Sequence, residues 1–206
     1  MQSSPMSEVL KSLQLTLGQE ETKKSIVRSR KNDREKQAQL SRYINSLFAY
    51  SPSLLVIDLD LSYANAWDYN QPLKALPEST NQETQTEESF RKERIQKVQN
   101  ERSELISHLK KKYKKDLVGY MWKLDYSTEK NFYYNMTFFL DGEKYQNDIE
   151  MGDSIGKLWN TITDNKGIYF SKNQYKYNGA GLLKHDELQK RKYLEQNALY
   201  LGRVIN

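Results

Sequence analysis

Apolar positions change their spacing several times along the chain, and each change marks an element. Leu40, Tyr43, Ile44, Leu47 and Phe48 recur at three- and four-residue steps, the spacing of one helical face, and Ser51-Pro52 ends that run. A shorter stripe, Val9, Leu10, Leu13 and Leu17, makes the first residues helical as well. "LLVIDLDLSY" (54–63) then alternates, with Ile57, Leu59 and Leu61 on one face and Asp58, Asp60 and Ser62 on the other; this predicts a strand. The polar tract 64–88, with two prolines, predicts a long surface loop. Phe90, Ile95, Val98, Leu105, Ile106, Leu109 and Tyr113 predict a long helix over 88–115, closed by lysines that suit its negative end.

Two more alternating runs, 118–127 and 131–140, form a hairpin across "TEK". In the second, Phe132, Tyr134, Met136, Phe138 and Leu140 share one face, and Tyr133, Asn135, Thr137 and Phe139 share the other. A helix near 148–162, a short strand and loop over 167–181, and a helix from about Asp186 (its N-cap) to Arg203 complete the order. Embedded in it is βαββαβ, so the expected fold is α+β, ferredoxin-like or RRM-like, with a central antiparallel sheet and an N-terminal helical extension. The division is 1–37 for the basic extension and 38–206 for the sheet domain. In that layout 54–63 and 131–140 lie side by side, and Asp58, Asp60 and Ser62 share the free face with Tyr133 and Asn135. Carboxylates there either serve a site or pair with sheet-surface lysines such as Lys123.

Charge adds a partner to this picture. Lys and Arg number 32 against 27 acidic residues, a net +5, and they bunch at 23–36, 91–97, 110–115 and 184–192. Each run alone reads as a solvated helix face; four together suggest an anionic partner. Lys110, Lys111, Lys112, Lys114, Lys190, Arg191 and Lys192 are the candidate phosphate contacts, with Tyr133 as a base-stacking side chain. The absence of cysteine excludes disulfides and thiolate metal sites, and two distant histidines, His108 and His185, form no local metal pair. No signal-peptide core or apolar run of membrane-spanning length occurs, which leads us to expect a cytoplasmic protein of a bacterial host cell and no membrane partner.

"LSRYINSLFAYSPSLLVIDLDLSY", "GYMWKLDYSTEKNFYYNMTFFLDG", "IGKLWN" and "ALYLGR" together resemble, in order and spacing over 38–204, the gene-two-product replication proteins of filamentous bacteriophages, the inoviruses. That family is similar to rolling-circle replication initiators with a His-hydrophobe-His motif. The resemblance implies a divalent cation, Mg²⁺ or Mn²⁺, that polarises a DNA phosphate, and a tyrosine that attacks it to leave a 5′-phosphotyrosine. It places the tyrosine at Tyr200, with Arg203 beside it, and the histidine pair at Tyr133 and Asn135. Both histidines are absent here, which leaves Asn135, Asp58 and Asp60 as candidate ligands. Tyr200 is read either as the nucleophile or as a packed helix tyrosine.

Three functions follow as expectations. The first is a phage or mobile-element DNA-binding protein of the rolling-circle initiator type, with nicking weakened or lost and single-stranded or hairpin DNA as partner. The second is a non-catalytic nucleic-acid-binding regulator on the same scaffold. The third is a phage inhibitor that contacts a host protein, with the 1–37 extension making the contact.

Overall fold

The computed structural model describes residues 31–32, 34–64, 82–127, 130–175, 179–200 and 204–205, with backbone alone for 82–88, 90, 200 and 204–205. The Val9–Leu17 stripe and most of the predicted 64–88 loop lie outside these residues. The chain divides into two units, Met1–Arg42 and Tyr43–Asn206. In the first, residues 31–32 and 34–42 are helical and mostly exposed, and Lys31 pairs with Glu35 at 3.9 Å.

The second unit opens with helix α1 (43–50), followed by β1 (Ser53–Tyr63), α2 (Gln82–Tyr113), β2 (Leu117–Ser127), β3 (Asn131–Asp141), α3 (Asp148–Ile162), β4 (Gly167–Ser171), β5 (Gly181–Lys184), α4 (Leu188–Tyr200) and β6 (Val204–Ile205). The sheet order is β4-β1-β3-β2-β6, with β5 also on β1. Its first four strands have the 4-1-3-2 order of a split βαβ fold, all antiparallel, so the expected α+β class and the side-by-side placement of β1 and β3 both hold. Helix α2 starts at Gln82, inside the polar tract predicted as loop, because the glutamates and glutamines there are good helix formers. Helix α4 starts at Leu188 rather than at Asp186: the Lys184 N–H donates to Glu187 at 2.8 Å, and a turn precedes the helix.

Alternation explains the two faces. Leu55, Ile57, Leu59, Leu61 and Tyr63 of β1 and Phe132, Tyr134, Met136, Phe138 and Leu140 of β3 pack with Val98, Leu105 and Leu109 of α2 and Ile155 and Trp159 of α3. On the opposite face, buried Leu54, Val56, Met121 and Phe139 lie at one end of the sheet. There the Tyr43 ring meets Phe139 edge-on at 6.5 Å, and Tyr43 Oη both donates to the Tyr120 carbonyl and accepts from its N–H, at 3.0 Å each. Burial pushes that phenol up to about 12. Gly119 sits at a β-bulge where an added Cβ would lie 2.5 Å from Tyr43 Oη, so glycine lets α1 approach.

The helix-packed face is equally close-fitting at Gly156 of α3, where a Cβ would come 2.2 Å from the Tyr169 ring of β4. Gly156→Ala is therefore expected to cost about 2 kcal/mol through overpacking, which outweighs the gain in helix propensity. Thermal melting checks this; an unchanged or raised midpoint contradicts it.

Candidate functional site

The second face changes character halfway along three adjacent strands. Leu54 and Val56 give way to Asp58, Asp60 and Ser62 in β1, Phe139 to Thr137, Asn135 and Tyr133 in β3, and Met121 to Lys123 and Asp125 in β2. Antiparallel register aligns the polar halves: Asp58 pairs with Thr137, Asp60 with Asn135, Lys123 with Asn135, and Asp125 with Tyr133. On the outer side Asp60 pairs with Phe170 and Ser62 with Ile168, so these β4 side chains share the face.

Lys172 reaches into this surface from the turn after β4. Its ammonium donates to Asn135 Oδ1 at 2.9 Å and stands 2.7 Å from Asp60 and 4.0 Å from Asp58. Asn135 in turn donates to Asp125 at 3.2 Å, and Asp125 pairs with Lys123 at 2.9 Å. Lys130 lies 3.9 Å from Asp60 and 5.1 Å from the centre of the Tyr133 ring. Three lysines thus match three aspartates across one polar patch. The three oxygen-bearing residues predicted to hold a divalent cation do come together, and the cation among them is Lys172. Among the described residues no group of three His, Cys, Asp or Glu side chains suits a metal ion. Desolvation, Asp125 and Asp60 raise the Tyr133 phenol, which keeps it neutral and a poor ligand for a hard cation. The residues present do not fit the metal that the sequence resemblance implies.

The neighbouring turn is held by Asn173, a buried residue that sequence reasoning missed. β4 covers β1 from Leu59 and β5 covers it up to Val56, which leaves a gap in the ladder. The Asn173 amide fills it: Oδ1 accepts from the Asp58 N–H, and Nδ2 donates to the Val56 carbonyl and to Asp148, each at 2.8 Å. Nothing local in "SKNQY" marks that role, because every partner is distant in sequence.

The other predicted residues are scattered. Lys110, Lys111, Lys112 and Lys114 are exposed at the end of α2, beside Lys115. Lys110 lies 5.6 Å from the Tyr120 ring centre, and Lys112 donates to Ser154 at 2.7 Å. This cluster is at the Leu117 end of β2, seven residues or roughly 24 Å along the sheet from Tyr133, by the rise of a strand. Lys190 pairs with Glu187, and Lys192 is exposed. Arg191 is a structural tie rather than a free phosphate contact: it donates to the His185 carbonyl at 2.8 Å and to Asn45, and lies 4.6 Å over the Phe48 ring. Tyr200 ends α4, its side chain outside the described residues, as is all of Arg203.

A family model, the YagK/YfjJ C-terminal domain, matches residues 16–204. No curated protein matches the chain. Among solved structures, the gas vesicle protein GvpF from Anabaena sp. PCC7120 is similar, with a TM-score of 0.39 and 12% identity over 63% of this chain. The similarity covers 51% of that protein, so the chain spans about half its length. The family match corrects the resemblance drawn from the hairpin and "ALYLGR", which pointed to the inovirus replication proteins. Alternating aromatic strands recur in many half-open sheets, so likeness of residue class along a hairpin reports the layout more than the family.

Proposed function

We propose, for a chain that belongs to the YagK/YfjJ C-terminal domain family, the role of a phage or mobile-element DNA-binding protein. On its split βαβ sheet it works as a binder, with strand cleavage weakened or lost. One observation carries this reading: the open half of the sheet is polar and aromatic, and its acidic groups are matched by lysines, with Lys172 at the point a divalent cation would need. A neutralised surface accepts a polyanion without a metal bridge, whereas three unmatched carboxylates would repel it. Tyr133 supplies a ring on that face, and the exposed lysines at the end of α2 supply phosphate contacts. The basic balance, net +5, points the same way. Among the described residues no helix is long and apolar enough to cross a membrane, and we place the activity in the cytoplasm of a bacterial host.

Single-stranded or hairpin DNA should bind with strong salt dependence. If about 4 phosphates are neutralised, a fourfold rise in salt should weaken binding to a single strand roughly 50-fold, since the logarithmic slope is about −0.7 per contact. Alanine at Lys111, Lys114 and Lys115 should flatten that slope by about 2. Fluorescence anisotropy over a salt series measures both. Absent binding at low salt favours a protein-interaction module instead.

A further inference from the structure

Resting on the nucleic-acid reading, we propose that Phe170 and Tyr175 form a stacking site for unpaired bases of single-stranded nucleic acid, at the outer side of the open sheet face. Their rings stack on each other with centroids 5.5 Å apart and planes 30° apart, yet Phe170 is 46% and Tyr175 70% exposed. Ile168, on the same side of β4, is 47% exposed. Aromatic rings that pair for stability alone normally do so under cover, where burial contributes most of the gain.

The support beneath these two rings is firm. Phe170 is fixed by the β1–β4 ladder, opposite Asp60. Tyr175 ends the turn Lys172–Tyr175, which Lys172 anchors through Asp60 and Asn135 and Asn173 anchors through the edge of β1. The backbones that carry both rings are therefore fixed, and each ring rests on the other, which limits the freedom lost on binding.

Size and charge select the occupant. A wholly covered aromatic side chain buries about 150–250 Å², so three half-exposed side chains offer roughly 300 Å². A stable protein interface needs about 800 Å² from each partner, which makes a second copy of the chain or a folded protein a poor match. A base needs only one ring face. Lys130, half-exposed, lies on the same face, and exposed Lys166 stands directly before β4, so cations for the flanking phosphates lie close by. Tyr133, two strands away across β1, is roughly 10 Å from the β4 side chains by strand spacing and gives a second ring for a neighbouring base.

The test uses the full chain, a labelled oligothymidylate of about 20 nucleotides, and a duplex of the same length. Phe170→Ala with Tyr175→Ala should weaken single-strand binding about tenfold or more, leave the salt slope unchanged and leave duplex binding as it was. Tyr175→Phe should retain full affinity. Both rings are exposed, so the melting midpoint should hold; if the double variant loses stability, Tyr175→Ala alone gives the reading. Unchanged single-strand affinity in the variant, or an equal loss on both probes, overturns the stacking site while leaving the DNA-binding proposal intact. A parent chain that binds neither probe at low salt overturns both.

Discussion

Lys172→Met is expected to destabilise the chain by about 3 kcal/mol. Methionine keeps most of the aliphatic stem but removes the ammonium that stands between Asp60, Asp58 and Asn135. Asp58 is only 2% exposed and the Asp60 side chain 15%, so water screens little of the remaining charge. Breaking a buried pair costs about 3–5 kcal/mol, and the partial exposure of Lys172 puts this case at the lower end. Asp60→Asn on the Lys172→Met background should recover part of the loss, as coupled partners do in a double-mutant cycle. Lys172→Met alone also removes the cation that Asp58, Asp60 and Asn135 share. Mn²⁺ should raise its melting midpoint and leave that of the parent chain unchanged. Equal stability of variant and parent in denaturant melts, or a parent that responds to Mn²⁺, contradicts this view of the centre.

Asn173→Ala should cost about as much, roughly 3 kcal/mol, by a different route. It strips partners from the Asp58 N–H, the Val56 carbonyl and Asp148 at once, and an unsatisfied buried polar group costs about 1–3 kcal/mol. Asn173→Asp should be worse, because an oxygen then faces both the Val56 carbonyl and the Asp148 carboxylate. Urea unfolding of the two variants gives the order; Asp tolerated better than Ala would mean that the amide does not bridge the gap between β4 and β5.

These two residues also mark where sequence pattern stops informing. The hairpin, β1 and α3 were legible because each buries one face against a single core, and periodicity reports burial directly. The polar half of the second face was legible too, as Asp58, Asp60, Tyr133 and Asn135. Its cover at the other end was not: Leu54, Val56 and Phe139 belong to the same alternation, and only the fold brings Tyr43 over them. The lysine that answers the carboxylates could not be chosen from 32 basic residues. Lys123 was the sequence expectation, and it pairs with Asp125, while Lys172 takes Asp60. β5 is not legible because four residues, "GLLK", carry too little alternation, and its partner β1 is more than a hundred residues away in sequence.

The family likeness failed for a related reason. Residue classes along β2 and β3 are set by the two faces of the sheet, so they repeat wherever a sheet of this order has one face buried and one half-open. The same constraint means that Tyr133 and Asn135 occupy a functional-looking position without the chemistry that would make it a cation site. The centre has its cation built into the chain.

That claim is tested most directly by incubating the full chain with 5′-labelled single-stranded and hairpin DNA, with Mn²⁺ or with EDTA. Binding is then read on a native gel and cleavage on a denaturing one. The expected result is a shifted band of intact DNA, equal in intensity with and without the metal, and no covalent protein–DNA adduct. Mn²⁺-dependent cleavage with the protein joined to the DNA would contradict it.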